Sequence, residues 1–289
     1  MSISLLLAFV GLIMITVNDI IYGHFSSKAD MGSVLSFYII SSAVSFIFVF
    51  IVFGCRAIGS ISAFTLPSTK ELLYGSILGI FASFGYILYF LSFSNTENIS
   101  SSVTIFRLNL VPSVILSILF LGEQPTVPVC IAIGIGVLAI LLMREKGGSK
   151  IQNKNILMAL GACFAAACLN VLNKSVMSGG YVSSIGLFLV RSAFVAVFSV
   201  LFFLIAKKKF CPTKRMVKLA LFSGILISSE VIIVMEALKD GLVSVIIPIT
   251  QLSFVFVTIY SAVFSKQRLP FRKIAAVIAA VIAILIISM

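Results

Sequence analysis

The sequence carries little charge. Of its 289 residues, 10% are charged and 61% are hydrophobic, and the mean hydropathy is +1.23. An average soluble chain has about 25% charged and about 45–50% apolar residues. So few charges cannot cover a surface that faces water, which excludes an ordinary soluble domain. The composition therefore predicts an integral membrane protein.

Groups suited to catalysis and metal binding are also scarce. The chain has nine Asp and Glu residues and a single histidine, His24. It contains no HExxH, GxSxG or P-loop motif, and its five cysteines show no metal-ligand spacing. We therefore expect no catalytic residues, no metal site and no cofactor, which argues against a membrane-embedded enzyme and against an ATP-driven pump.

Long apolar runs dominate what is present. A helix needs about 20 predominantly apolar residues to cross the hydrocarbon core of a bilayer, and these runs lack the alternation of barrel strands. The sequence therefore predicts an all-α, polytopic membrane protein with ten transmembrane helices. The predicted spans are Ile3–Tyr22, Val34–Phe53, Leu72–Phe93, Ile99–Leu121, Val127–Met143, Ile156–Val176, Val182–Ala206, Val217–Leu238, Leu242–Phe264 and Ile274–Ser288.

A polar hinge over 144–155 leaves five spans on each side, which predicts two repeats, 1–143 and 156–289. A shift of 143 residues aligns Gln124 with Gln267 at the ends of the fourth and ninth spans, and also aligns small residues of the fifth and tenth spans. Because each half has an odd number of spans, the halves must have opposite orientations in the membrane. Inverted repeats are typical of transporters with a central site between the halves.

The excess of basic residues lies in the short loops. There are 21 Lys and Arg residues against 9 Asp and Glu, and we expect them to meet the anionic surface of a lipid bilayer rather than nucleic acid. Fifteen of them follow odd-numbered spans and four follow even-numbered spans. The positive-inside rule then places the loops after odd spans in the cytoplasm and both termini outside.

Three motifs carry a family resemblance. The fourth span ends with Phe120-Leu121-Gly122-Glu123 and precedes a glycine-rich fifth span, and Arg191 lies early in the seventh span. The sixth span contains Ala167-Cys168-Leu169-Asn170-Val171-Leu172-Asn173-Lys174. With its ten spans in two halves, the chain resembles the drug/metabolite transporter superfamily, and its ten-helix EamA-like permeases and exporters in particular.

The resemblance implies a central cavity lined by the first, third, fourth, sixth, eighth and ninth helices. It implies alternating access and the export of small metabolites, amino acids or drugs, in many such exporters by exchange for protons. It also implies a multi-pass protein of the cell membrane, here expected to be a bacterial plasma membrane. The resemblance also implies the orientation expected of most such relatives, with both termini in the cytoplasm. This conflicts with the charge count, and both orientations stay open at this point.

Charged side chains within the spans are the first candidates for a site, because a charge at the centre of a membrane helix costs about 2.5–3.5 kcal/mol and usually faces a cavity. Arg107 could hold a carboxylate or phosphate, or it could form a structural pair. Asp19 could bind an amine or a proton, or be a helix-end carboxylate. Glu230 could carry a coupled proton, because desolvation disfavours the charged form, or be fixed in an ion pair with Arg191 or Arg107. Arg191 itself resembles a scaffold position.

Uncharged polar and aromatic side chains complete the predicted site. Amides buried in spans plausibly reach a cavity, although they also bridge helices, and the two tyrosines of the third span could equally be packing residues. We predict Asp19 and Glu230 as proton-coupling residues. The predicted substrate-binding residues are Asn18, Asp19, Tyr86, Tyr89, Arg107, Asn109, Asn170, Asn173, Glu230 and Gln251.

These residues favour a secondary transporter of a small polar or zwitterionic metabolite such as an amino acid. In this hypothesis Arg107 holds the carboxylate, and Asp19 or Glu230 holds the amine or a proton. One alternative is an exchanger of a phosphorylated or nucleotide-linked sugar, which would need more cations in the cavity. Another is a non-transporting assembly subunit. The small residues Ala275, Ala279 and Ala283 could also pair two copies in a homodimer.

Overall fold

The fold is given by a computed structural model, which describes residues 3–26, 31–59, 66–92, 105–142, 153–263 and 271–288. Across these ranges the chain forms helices and no strands. The helices are α1 (Ile3–Ser26), α2 (Met31–Gly59), α3 (Thr69–Leu91), α4 (Leu110–Leu121), α5 (Val127–Leu142), α6 (Asn153–Ser178), α7 (Ser184–Ala206), α8 (Lys214–Asp240), α9 (Val243–Gln251), α10 (Ser253–Val263) and α11 (Phe271–Ser288).

Helix length and composition agree with a membrane protein. Helices α1, α2, α3, α6, α7 and α8 are each long and apolar enough to cross a bilayer, and shorter apolar helices occupy 105–121, 127–142 and 243–257. Helices α9 and α10 are separated by Leu252 alone and together fill the ninth predicted span. The prediction of an all-α protein with ten transmembrane helices is therefore confirmed.

The predicted hinge and spans differ from the structure in detail. Helix α6 begins at Asn153, three residues before the predicted start at Ile156, so its first turn occupies the end of the predicted hinge. The rest of the hinge, up to residue 152, lies outside the described residues. The ninth predicted span, Leu242–Phe264, is divided by a turn at Leu252 that the sequence pattern did not indicate.

The fourth and ninth spans are interrupted at equivalent positions. A turn at Leu108 and Asn109 precedes α4, as Leu252 precedes α10. The Asn109 N–H donates to the Phe106 carbonyl at 3.0 Å, and the Leu252 N–H donates to the Ile249 carbonyl at 3.2 Å. A shift of 143 residues relates these two bonds. The repeat read from the sequence is thus present in the backbone of the two interrupted helices.

Pro112 explains the first interruption. A proline ring clashes with the carbonyl of the residue four positions earlier, here Leu108, and is tolerated within the first turn of a helix. Helix α4 accordingly begins at Leu110, so that Pro112 falls within its first turn. The second interruption has no proline at the matching position, since Pro248 lies inside α9. It leaves no comparable signal in the sequence.

Helices of the two halves interlock. Helix α1 packs on α8, α2 packs on α7 and α8, and α3 packs on α6 and α7. Glycines on α3 permit this approach: a Cβ atom added at Gly75 would lie 2.6 Å from the Cβ of Val190. The space enclosed between the halves is therefore bounded by elements from both repeats.

Small residues bring α5 and α11 together. Ala132 and Ala139 of α5 and Ala280 and Ala283 of α11 are completely or almost completely buried in one apolar cluster. Close packing of small residues is a common way for membrane helices to associate. The chain thus uses this surface internally, and a homodimer through small-residue faces stays a prediction.

Candidate functional site

A cavity of about 300 Å³ lies between the two halves. Side chains from α1, α2, α3, α6, α7 and α8 line it, together with residues at both interruptions. The family resemblance predicted most of the helices that line the cavity, and the structure shows that α2 and α7 line it as well. The lining includes every predicted substrate-binding residue: Asn18, Asp19, Tyr86, Tyr89, Arg107, Asn109, Asn170, Asn173, Glu230 and Gln251. Their roles in binding stay predictions.

An ion pair joins α1 to the fourth span. The Arg107 guanidinium donates to the Asp19 carboxylate, and the two side chains are 11% and 28% exposed. Arg107 also donates to Gln251 Oε1 at 3.3 Å, and the Ser253 hydroxyl donates to Asp19 Oδ2 at 2.8 Å. Arg107 precedes the first interruption, whereas Gln251 and Ser253 flank the second. The ion pair therefore sits where the two interrupted helices meet.

This pairing changes how Arg107 can act. The sequence alone left open whether Arg107 recognises an anion or pairs with an acid, and here it pairs with Asp19. An anionic group that enters the cavity must therefore compete with Asp19 for the guanidinium. Exchange of one carboxylate for another costs less than stripping a buried cation of its partner, which is strongly destabilising.

Glu230 lies on α8 in a different setting. It lines the same cavity as Arg191, Asp19 and Arg107. No described residue donates a hydrogen bond to Glu230, and Asp19–Arg107 is the one direct ion pair in the described ranges. Arg191 is 6% exposed and lies 5.6 Å from the centre of the Phe188 ring. The fixed Glu230 ion pair considered from sequence is thus not formed.

Two of the predicted amides bridge helices. Asn18 of α1 accepts a hydrogen bond from the Ser223 hydroxyl of α8 at 2.6 Å. The Asn170 amide of α6 donates to the Ser113 hydroxyl of α4 at 3.0 Å. Each bridge crosses from one half to the other beside the cavity. These contacts fit the structural alternative for both residues, although both side chains also line the cavity.

Two further amides have an oxygen without a partner. The Asn109 amide donates to the Phe106 carbonyl at 2.9 Å, which ties it to the turn before α4. The side-chain oxygens of Asn109 and Asn173 are buried and accept no hydrogen bond from any residue in the described part of the chain. Both residues line the cavity, so these two oxygens are acceptors that a bound molecule in the cavity could use.

Aromatic rings form another part of the lining. The rings of Tyr89 and Phe106 are tilted by 43° with centroids 4.3 Å apart, and the ring centroids of Tyr38 and Tyr86 lie 5.9 Å apart. Tyr86 and Tyr89 were predicted for the site, whereas Tyr38 of α2 was not. Aromatic faces next to guanidinium groups suit compounds that combine a charged end with an apolar body.

Other polar residues of interest were not among the predicted substrate-binding residues. Ser253, which donates to Asp19, lies two residues after Gln251 in the ninth span, where the polar residues were expected near the cavity. Glu71 and Glu123 are buried carboxylates outside the cavity lining. The burial of Glu71 at a helix start could have been predicted. Ser68 lies three residues before it and an apolar run follows, which is the signature of a capping box.

Comparison with known proteins assigns the family. The sequence matches the EamA-like transporter family twice, over residues 2–144 and 153–289. The chain belongs to the EamA-like transporter family. The two matches confirm the predicted resemblance to the drug/metabolite transporter superfamily and the division into two repeats. Within this family, the protein is a multi-pass membrane transporter, and the family consists of transporters rather than enzymes.

Solved structures agree on the fold of this EamA-like protein. Twenty-eight solved chains match it. One, titled only "Crystal structure of protein", has a TM-score of 0.77 at 14% sequence identity, and the match covers 100% of this chain and 99% of that one. At this identity, the likeness shows the fold alone. No curated protein matches the sequence significantly.

Proposed function

We propose that this protein is a secondary transporter that exports a small zwitterionic metabolite, such as an amino acid, in exchange for protons. The observation that carries the proposal is the charge balance of the cavity. Asp19 and Glu230 contribute two carboxylates, and Arg107 and Arg191 contribute two guanidinium groups. A zwitterion brings one charge of each sign and leaves this balance unchanged, whereas an ion with a net charge disturbs it.

Substrate binding follows from the Asp19–Arg107 pair. The carboxylate of the substrate takes the place of Asp19 on the Arg107 guanidinium, whose planar fork suits a carboxylate. Asp19 is then released and can face the ammonium group of the same substrate. Each buried charge keeps a partner throughout the exchange, which avoids the high cost of an isolated ion in the membrane.

Proton coupling follows from competition at a carboxylate. Protonation of Glu230 or Asp19 removes the negative charge that attracts an ammonium group, so proton and substrate bind in alternation. Glu230 is the better candidate of the two, because no described residue donates a hydrogen bond to it or forms a direct ion pair with it. A carrier that binds either the proton or the substrate exchanges one for the other across the membrane.

Cavity size supports a small substrate. A volume of about 300 Å³ is at the lower end of the range of about 300–1,000 Å³ for pockets that hold drug-sized ligands. A nucleotide-linked sugar needs more room and more free cations. Lys174 of α6 is not part of the cavity lining, and its ammonium group donates to the Lys239 carbonyl. The sugar exchanger is therefore the weaker candidate, and charges in the cavity argue against a purely structural subunit.

We place the protein in the plasma membrane with the loops after odd-numbered spans in the cytoplasm, following the bias of basic residues. Six of these residues lie between Lys207 and Lys218, at the junction of α7 and α8. Fluorescent-protein and alkaline phosphatase fusions at Met289 test this placement. Phosphatase activity at the C-terminus is expected, and a fluorescent, phosphatase-silent C-terminus would reverse the orientation.

Transport in proteoliposomes tests the function. Purified protein should exchange a radiolabelled neutral amino acid and respond to a pH gradient across the vesicle membrane. The N-acetyl derivative, which lacks the ammonium group, and a sugar phosphate, which carries a net negative charge, serve as comparison substrates. We expect the amino acid to be transported at least about tenfold faster than either. Preferential transport of the sugar phosphate would favour the alternative and contradict the proposal.

A further inference from the structure

Two buried carboxylates lie at one face of the bundle, away from the cavity lining. Because successive spans run in opposite directions, α3, α7 and α9 all begin at this face, and α4 ends there. We call it the latch face. Glu71 lies in the first turn of α3, and Glu123 follows the end of α4. Both residues belong to the first repeat, and they are 8% and 6% exposed.

Glu71 connects α3 to the start of α7. Its Oε2 accepts hydrogen bonds from the Ser68 N–H at 2.7 Å and the Ser68 hydroxyl at 3.0 Å, which closes the capping box of α3. Its Oε1 accepts hydrogen bonds from the Ser183 N–H at 2.9 Å and the Ser183 hydroxyl at 2.7 Å. One carboxylate oxygen thus accepts hydrogen bonds from the first repeat, and the other accepts hydrogen bonds from the second. A Cβ atom at Gly186 would collide with this carboxylate.

Glu123 makes an equivalent connection to the start of α9. Its Oε1 accepts a hydrogen bond from the Val243 N–H at 2.7 Å. Its Oε2 accepts hydrogen bonds from the Ser244 N–H at 3.0 Å and the Ser244 hydroxyl at 2.8 Å, and from the Ser117 hydroxyl of α4 at 3.1 Å. This carboxylate therefore also ties the first repeat to the beginning of a helix of the second.

Neither carboxylate forms a direct ion pair within the described ranges. Backbone N–H groups at the N-termini of α7 and α9 donate to them, and the positive end of each helix dipole favours a negative charge there. Hydrogen bonds to an ionised acceptor are about twice as strong as neutral ones. Two such clusters at the same face make the connection between the repeats there both strong and specific in geometry.

We propose that Glu71 and Glu123 are a pair of latches that close the cavity at this face, and that both must release for the cavity to open there. The inference rests on the proposed transport function, with the alternating access that the family resemblance implies taken as a movement of one repeat against the other. If the repeats part at the latch face in this movement, α3 separates from α7 and α4 separates from α9. The hydrogen bonds of both carboxylates cross between these elements, so they break in that step and are remade on closure.

A third carboxylate at the same face provides an internal comparison. Glu236 of α8 accepts a hydrogen bond from the Ser184 hydroxyl of α7 at 2.6 Å. Both partners belong to the second repeat, so movement of one repeat against the other leaves this bond intact. Ser184 and Ser244 are both buried serines at helix starts that donate to a carboxylate, and they differ in whether the bond crosses the repeats.

Accessibility of a cavity residue measures the state of the latches. Ala166 lines the cavity, and the variant Ala166→Cys, made in a full-length chain whose five native cysteines are replaced, carries one reactive thiol. Sealed membrane vesicles are treated with a membrane-impermeant maleimide from either side. An N-terminal tag reports which side is the latch face, because α1 begins there. The rate of labelling from each side is recorded.

With intact latches, we expect labelling from the latch face to be slow. Glu71→Gln and Glu123→Gln each replace an acceptor oxygen by a donor and should raise this rate by about tenfold or more, as expected for the loss of hydrogen bonds to a charged group. Ser244→Ala, a milder change that tests the same bond, should raise it severalfold. The matched controls Glu236→Gln and Ser184→Ala should leave the rate unchanged.

Two results would overturn the latches: fast labelling from the latch face in the parent chain, or an equal rate in Ser244→Ala and Ser184→Ala. Because labelling requires no substrate, it separates this inference from the proposed function. Failure of the parent chain to transport any amino acid would refute the function and leave the latches in place. Transport together with unchanged labelling in Ser244→Ala and Glu123→Gln would refute the latches alone.

Discussion

Carboxylates in the cavity and at the latch face are surrounded very differently. Glu71 and Glu123 each accept four hydrogen bonds from backbone and serine donors. Within the described ranges, Asp19 accepts hydrogen bonds from Arg107 and Ser253, and no residue donates one to Glu230. Carboxylates at the latch face thus accept more hydrogen bonds than carboxylates that line the cavity.

This difference separates two uses of a buried charge. A carboxylate whose lone pairs are all occupied fixes the geometry of the helices that supply the donors. A carboxylate with free lone pairs can still bind a proton or an ammonium group. The position of a charge in a membrane helix, which is all that hydropathy shows, does not distinguish the two. Four substitutions test the distinction, from the largest expected effect to the smallest.

Loss of the Arg107 charge should have the largest effect. Arg107→Gln leaves Asp19 without its ion-pair partner, and removal of one member of a buried pair costs about 2–5 kcal/mol. We expect amino acid transport in proteoliposomes to fall by about 100-fold or more. Arg107→Lys keeps the charge and loses the planar fork, so transport by this variant should fall less. Arg215→Gln, at the exposed start of α8, is the control. Near-normal transport by Arg107→Gln would exclude Arg107 from the substrate-binding site.

Glu230→Gln should uncouple transport from protons. The amide has the shape of the protonated acid and cannot titrate, so exchange of labelled for unlabelled substrate should continue within about tenfold of normal, since one polar contact at most is lost. The response to a pH gradient should disappear. Glu236→Gln, a carboxylate of the same helix engaged with Ser184, should keep the response. If the pH response persists in Glu230→Gln, Glu230 is not the proton-coupling residue, and Asp19 becomes the candidate.

Glu123→Gln should lower stability rather than coupling. A donor nitrogen placed against the Val243 or Ser244 N–H groups leaves at least one buried donor unpaired, which costs about 1–3 kcal/mol. The midpoint of thermal unfolding in detergent should fall clearly, and Glu236→Gln, which loses one hydrogen bond from a less buried carboxylate, should lower it less. Equal midpoints for the two variants would show that four hydrogen bonds stabilise the fold no more than one.

Asn18→Ala should have the smallest effect. The substitution removes the hydrogen bond from Ser223, whose hydroxyl can turn to another acceptor, and a single neutral hydrogen bond contributes about 0.5–1.5 kcal/mol. We expect transport within about threefold of normal and a small loss of thermal stability. A loss of transport as large as that of Arg107→Gln would place Asn18 among the substrate contacts and not among the helix bridges.

Much of this architecture could be predicted because membranes impose strict rules on sequence. Ten apolar runs predicted ten transmembrane spans. Because a charge in lipid is energetically costly, Asp19, Arg107 and Glu230 were predicted as site residues, and all three line one cavity. The pairing of Asp19 with Arg107 joins residues 88 positions apart. It could not be derived, because helix register and packing decide which side chains meet.

The features that were missed depend on local geometry. At the turn, the Leu252 N–H donates to the Ile249 carbonyl, and no proline lies at the position that matches Pro112. Glu71 and Glu123 lie at the ends of helices, where hydropathy predicts contact with water, and they are buried because helix starts of the other repeat cover them. Such contacts appear only once the two repeats are assembled.

Proton movement driven by substrate tests the proposed exchange most directly. Proteoliposomes that contain a pH-sensitive dye and the purified protein receive a neutral amino acid on the outside, without an initial pH gradient. The proposal predicts that entry of the amino acid expels protons and makes the lumen alkaline, and that Glu230→Gln takes up the amino acid with no change in dye signal. Amino acid entry into wild-type vesicles without proton movement would contradict it.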